Sequence, residues 1–144
     1  MKAKLLSGSS TSAAYVVIFD TGDEFLAGLT AFAREQHLDA SHFTAIGGFS
    51  RATLGYFDVE TKEYRPIPLQ EQVEVLSLSG DITLDRGEPK VHAHVVAGKS
   101  DGSTCGGHVL EAFVRPTLEV MLEESPAHLR RAMDDRSGLP LIAP

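Results

Sequence analysis

The stretch Val91-His92-Ala93-His94-Val95-Val96-Ala97-Gly98-Lys99-Ser100-Asp101-Gly102-Ser103-Thr104-Cys105-Gly106-Gly107-His108 reads as a β-hairpin. Val91 to Ala97 is a strand of β-branched and small residues, and Ser100-Asp101-Gly102-Ser103 is turn chemistry that sends the chain back. His92 and His94 lie two residues apart, so they share a strand face with Cβ atoms about 6.5–7 Å apart. His108 stands on the returning segment, and the register decides whether it joins them. A two-residue loop at Asp101-Gly102 places His108 opposite Val95, facing away from both histidines. An odd-length loop or a one-residue bulge places it opposite His94 on the common face, and Gly106-Gly107 is suitable sequence for a bulge. Both registers are open at this level.

Outward from the hairpin, short strand-like runs dominate. Tyr15 to Phe19, Phe43 to Gly47, Ala52 to Asp58, Tyr64 to Leu69, Val73 to Leu78, Asp81 to Leu84 and Thr117 to Leu122 are apolar or alternating, with turn formers such as Asp58, Lys62 and Gly80 between them. One long helix is expected after Asp20-Thr21-Gly22. Thr21 and Glu24 stand in capping-box spacing before the stripe Phe25, Leu26, Leu29, Phe32, Ala33, and the helix stops near His37-Leu38-Asp39. Ser125-Pro126 reads as the cap and first residue of a short helix through Leu129 and Met133 that ends at Gly138, with Leu139 to Ile142 as a closing strand. The expected fold class is therefore α+β: a mostly antiparallel sheet flanked by one long and one or two short helices, in a single domain over residues 1–144.

Size and charge narrow the function. A chain of 144 residues buries roughly 70% of its unfolded surface and needs no staples. Thirteen basic against twenty acidic side chains leave a net charge of −7, a field that opposes binding to polyanions, so DNA is not an expected partner on charge. The single cysteine, Cys105, excludes an intrachain disulfide framework and suits a reducing compartment. No run approaches the roughly 18 apolar residues of a membrane span, and Met1 to Leu6 carries no signal-peptide pattern. A cytoplasmic location is expected.

Three neutral imidazoles, His92, His94 and His108, form a donor set suited to zinc with one position left for water, whose pKa can then fall to about 7. The bland alternative is half-buried histidines with hydrogen-bonded nitrogens. Glu119 is the candidate catalytic carboxylate, as ligand or general base, on the face it shares with Thr117. Glu111, Cys105 and the remaining histidines His37, His42 and His128 read as surface or packing residues. Gly47-Gly48 reads as backbone packing, since it lacks the further glycine of a dinucleotide fingerprint.

Several blocks together resemble the PPC domain, found in plant AT-hook proteins and as stand-alone prokaryotic proteins. They are Gly22 to Ala33, Ala45-Ile46-Gly47-Gly48-Phe49, Val73-Glu74-Val75-Leu76-Ser77-Leu78-Ser79-Gly80, the His92/His94 strand with Gly106-Gly107-His108, and the ending Arg130 to Leu141. The resemblance implies an antiparallel sheet flanked by helices, a homotrimer, and a zinc-like metal on the counterparts of His92, His94 and His108. It also implies fold-level kinship with acetolactate decarboxylase and, by that analogy, metal-dependent lyase or hydrolase chemistry on a small molecule. Members are often labelled DNA-binding, so a DNA-binding or regulatory module is a second reading and a trimeric scaffold without chemistry a third. The nearest match to the AT-hook core Arg-Gly-Arg-Pro is Arg86-Gly87-Glu88-Pro89, where a glutamate replaces the arginine that enters the minor groove.

Overall fold

The strands run further than the turn formers between them suggest. A computed structural model of the chain describes residues 1–9 and 12–143. It contains strands Lys2–Ser9 (β1), Ser12–Asp20 (β2), Ala40–Asp58 (β3), Glu63–Leu69 (β4), Val73–Asp85 (β5), Glu88–Gly98 (β6), Thr104–Glu124 (β7), Arg130–Asp134 (β8) and Leu139–Ala143 (β9), with one helix, Phe25–Gln36 (α1). The runs expected as separate strands on either side of Gly80 are one strand, β5. Gly80 is no turn: a Cβ there would lie 2.2 Å from the His92 carbonyl oxygen and 2.4 Å from the Phe43 ring. It is a close approach of backbone to backbone and ring.

The α+β expectation is overturned. About 70% of the structure is strand, in a mixed nine-stranded sheet, and among the described residues there is a single helix. The segment expected as a second helix, from Pro126 through Met133, instead forms β8, which joins β5 in parallel through Leu84 and Arg130 and pairs with β9 in a hairpin. Local capping chemistry loses here to tertiary partners. The Leu84 N–H donates to the Leu129 carbonyl, and the Arg131 guanidinium reaches Thr83 on β5. The hairpin turn is closed by Ser137, whose N–H and hydroxyl both donate to Asp134.

The pairings β7–β3, β3–β5, β5–β6 and β6–β7 run full circle, so the central sheet closes on itself. Inside lies the core. Phe25 of α1 stands among Phe19, Phe43 and Phe49, with ring centroids 5.7, 6.2 and 6.4 Å away. The helix forms where its apolar stripe predicts, burying Phe25, Leu29, Phe32 and Ala33, each large side chain contributing about 1.5–3 kcal/mol. Its cap is Glu24, which accepts from the Ala27 N–H, rather than Thr21, whose hydroxyl donates to the Pro116 carbonyl. It stops where expected, at a left-handed His37.

Candidate metal centre

Strand β6 is hydrogen-bonded on both sides, to β5 and to β7. Its alternation sends Val91, Ala93, Val95 and Ala97 into the core and leaves Lys90, His92 and His94 on the outer face. The register question is settled by the loop. Gly98 pairs with Thr104, the Lys99 N–H donates to Ser103, and Gly102 takes a left-handed φ of 81° after a turn closed by its own N–H on the Lys99 carbonyl. That is a three-residue hairpin loop with glycine where positive φ is needed. It sets His94 directly opposite His108, while Gly106 and Gly107 continue the regular ladder.

The three imidazoles meet. Their potential ligand atoms lie within 4.8 Å of one another. The Nε2 atoms of His92 and His94 are 3.2 Å apart, close to the roughly 3.3 Å edge of a tetrahedron with metal–nitrogen bonds of about 2.0–2.1 Å. With a proton between them the pair is a hydrogen bond; with both nitrogens bare, two lone pairs face each other and a cation is the natural occupant. The Nδ1 of His108 is buried without a hydrogen-bond partner, the kind of uncompensated polar atom a bound ligand relieves.

A second set of residues fixes the first. Asp81 lies directly across from His92 on β5, and its Oδ2 is 3.2 Å from His92 Nδ1. This is the carboxylate–histidine arrangement that directs the other ring nitrogen, Nε2, toward a metal. The other oxygen of Asp81 accepts from an Arg131 NH2 group at 2.5 Å; that guanidinium is 7% exposed and also donates to Thr83 and to the Pro140 carbonyl. Burial pushes the Asp81 carboxyl up, but hydrogen bonds from His92 and Arg131 outweigh it and hold it below the usual carboxylate range. Tyr64 of β4 stacks on the His108 ring at 4.8 Å. Burial, reinforced by the neighbouring His92 and His94, lowers His108 to about 4, and burial followed by His92 lowers His94. For His94 and His108 the balance of these forces favours the neutral imidazole, the protonation state that binds metal.

The remaining candidates lie elsewhere. Glu119, the proposed catalytic carboxylate, is not among the groups gathered with the histidines: it pairs with Ile18 and Ile46 and lines a separate hollow with Leu76. Glu111 is exposed opposite Thr53. His37 caps α1, His42 sits 3.8 Å from Glu123, and His128 sits 2.6 Å from Asp39. The Cys105 thiol is half-buried near the Ala97 carbonyl, and Gly47-Gly48 packs on the backbone of Thr117 and Arg115. The sequence reading does not assign Asp81, Arg131 or Tyr64 to the site. Asp81 had a signal: Arg86 and Gly87 are both left-handed, at φ 53° and 86°, in a two-residue loop, and an Xaa-Gly loop of that kind places Asp81 across from His92.

The sequence pattern of the Plants and Prokaryotes Conserved (PCC) domain matches residues 6–126. Among solved structures, the chain is similar to a metal-containing protein from Archaeoglobus fulgidus, at 33% identity over 100% of this chain and 99% of that one, with a TM-score of 0.86. It is similar to a plant- and prokaryote-conserved protein from Pyrococcus horikoshii, at 32% identity over 99% and 95% of the two chains, TM-score 0.86. It is also similar to a Bacteroides thetaiotaomicron protein presented as a "putative DNA binding protein", at 26% identity over 98% and 96%, TM-score 0.89. No curated protein matches. No helix among the described residues is long and apolar enough to cross a membrane.

Proposed function

Given that the chain belongs to the Plants and Prokaryotes Conserved domain family, we propose that it holds a divalent, zinc-like metal on His92, His94 and His108 and offers the remaining coordination position to a small molecule. The observation that carries this reading is the convergence of three imidazoles with Asp81 fixing one of them from behind. A metal so held supplies Lewis-acid polarisation of a carbonyl or similar oxygen. The protein's own part is to keep the His94 and His108 rings neutral, to lock the His92 tautomer through Asp81, and to orient His108 by stacking it on Tyr64. The name of the Archaeoglobus relative supports the reading. The test is elemental analysis of protein purified without added metal. Near-stoichiometric zinc that disappears in the His92→Ala, His94→Ala double variant supports it; metal-free protein that refuses added zinc overturns it.

Self-association into a trimer belongs to the same proposal. Ile46 and Leu76 are 61% and 53% exposed and line one hollow on the outer sheet face, which is apolar surface a second copy can cover. Sedimentation equilibrium decides it, and a monomer at tens of micromolar concentration counts against it.

A further inference from the structure

Two members of the triad form the floor of a pocket whose walls come largely from three other elements. The pocket reaches His92 and His108 and is bounded by Lys90 of β6, Tyr64 of β4, and Arg131, Leu139 and Leu141 of the β8–β9 hairpin. Its volume is about 190 Å³, below the range of pockets that take drug-sized ligands and suited to a small organic molecule. The lining is mainly apolar, with two cations and no carboxylate in it. Those cations differ in availability. The Arg131 guanidinium is consumed by Asp81, Thr83 and the Pro140 carbonyl. Lys90 is exposed, and the lysine ion pairs among the described residues involve Lys2 and Lys99 instead. Lys90 sits two residues before His92, so its side chain leaves the strand on the triad's own face.

We infer that the pocket binds a small monocarboxylate with a compact apolar body, its anion held by the Lys90 ammonium beside the metal centre and its hydrocarbon part against Leu139 and Leu141. The inference rests on the metal-centre reading and adds the ligand's chemistry to it. An uncommitted ammonium at the edge of an apolar hollow favours an anion because the hollow excludes competing water from one side of the pair. The volume sets the size, and the leucines of β9 reward carbon rather than further polar groups. A cationic ligand meets Lys90 and Arg131 with like charge and is rejected.

The probe is isobutyrate, six non-hydrogen atoms, against its neutral isostere isobutyramide and against acetate. Each is titrated at pH 7 into zinc-loaded full-length protein and into Lys90→Gln, with amide NMR shifts read near residues 90–92 and 139–141 and zinc content measured on the same samples. The expected result is that isobutyrate binds about tenfold more tightly than isobutyramide and several-fold more tightly than acetate. In Lys90→Gln the acid-over-amide preference falls at least fivefold while zinc content is unchanged. Fully zinc-loaded protein that binds acid and amide alike, binds neither, or keeps its preference in Lys90→Gln overturns the inference and leaves the metal centre standing. A chain that takes up no zinc sinks both.

Discussion

Replacing Asp81 by Asn separates the support of the site from its ligands. The side chain keeps its shape and loses its charge, and two partners feel the loss. Arg131, 7% exposed, gives up the carboxylate at 2.5 Å. Stripping one partner from a buried ion pair costs about 3–5 kcal/mol. Here Thr83 and the Pro140 carbonyl still accept from the guanidinium, and the Asn oxygen remains a neutral acceptor, so about 2–3 kcal/mol is expected. For a chain of this size that lowers Tm by about 6–12 °C. The other partner, His92, loses the acceptor at 3.2 Å on its Nδ1, and loss of such a support weakens metal binding about 10- to 100-fold. The assay is thermal unfolding of metal-free protein together with zinc affinity by chelator competition. Thr83→Val is the control: Thr83 is fully buried and touches Arg131 but no histidine, so it lowers Tm and leaves zinc affinity within about twofold. An Asp81→Asn protein with wild-type zinc affinity, or a Thr83→Val protein that loses zinc equally, refutes the argument that Asp81 acts through His92.

Other outcomes follow from the same contacts. The folded-state pKa of His108, about 4, and that of His94 lie below the ordinary 6.5, so between those values the unfolded chain binds more protons. Metal-free protein is therefore fully stabilised above pH 6.5 and loses stability as pH falls toward 4, by about 2–3 kcal/mol from His108 between pH 7.5 and 4.5. Urea unfolding at the two pH values checks this, with His108→Phe losing most of the difference; a flat profile in wild type contradicts it. Gly80→Ala drives a methyl onto the His92 carbonyl and the Phe43 ring, costing about 1–3 kcal/mol or more and disturbing the β5–β6 ladder at His92, so both Tm and zinc content fall. On charge, saturable binding of duplex DNA at micromolar protein and physiological salt is not expected with a net −7, and a clean gel-shift isotherm would reverse that ranking.

How much of the site was legible depends on how far each feature reaches along the chain. The hairpin and the shared face of His92 and His94 were legible because alternation is a local, two-residue property. His108 was legible as a candidate, but its register hung on one loop residue, and the left-handed Gly102 chose it. The helix around Phe25 was legible from its stripe, whereas the one expected after Pro126 was not there. Ser125-Pro126 carries real helix-start chemistry, yet Arg131 finds Thr83 and Asp81 only when that segment lies extended beside β5. The same error hid the pocket, since its apolar wall and Arg131 come from the hairpin that replaced the helix.

By itself the sequence determined what short-range physics controls: strand alternation, the turn glycines, the helix stripe, the deficit of positive charge, and the blocks that mark the family. Only the tertiary structure decided which carboxylate stands behind the histidines, Asp81 rather than Glu119, and which cation stands free beside them. Strand pairing across a closed sheet joins residues far apart in the chain, and no local pattern reports the far partner. Burial then turns that neighbourhood into chemistry by favouring neutral His94 and His108 rings.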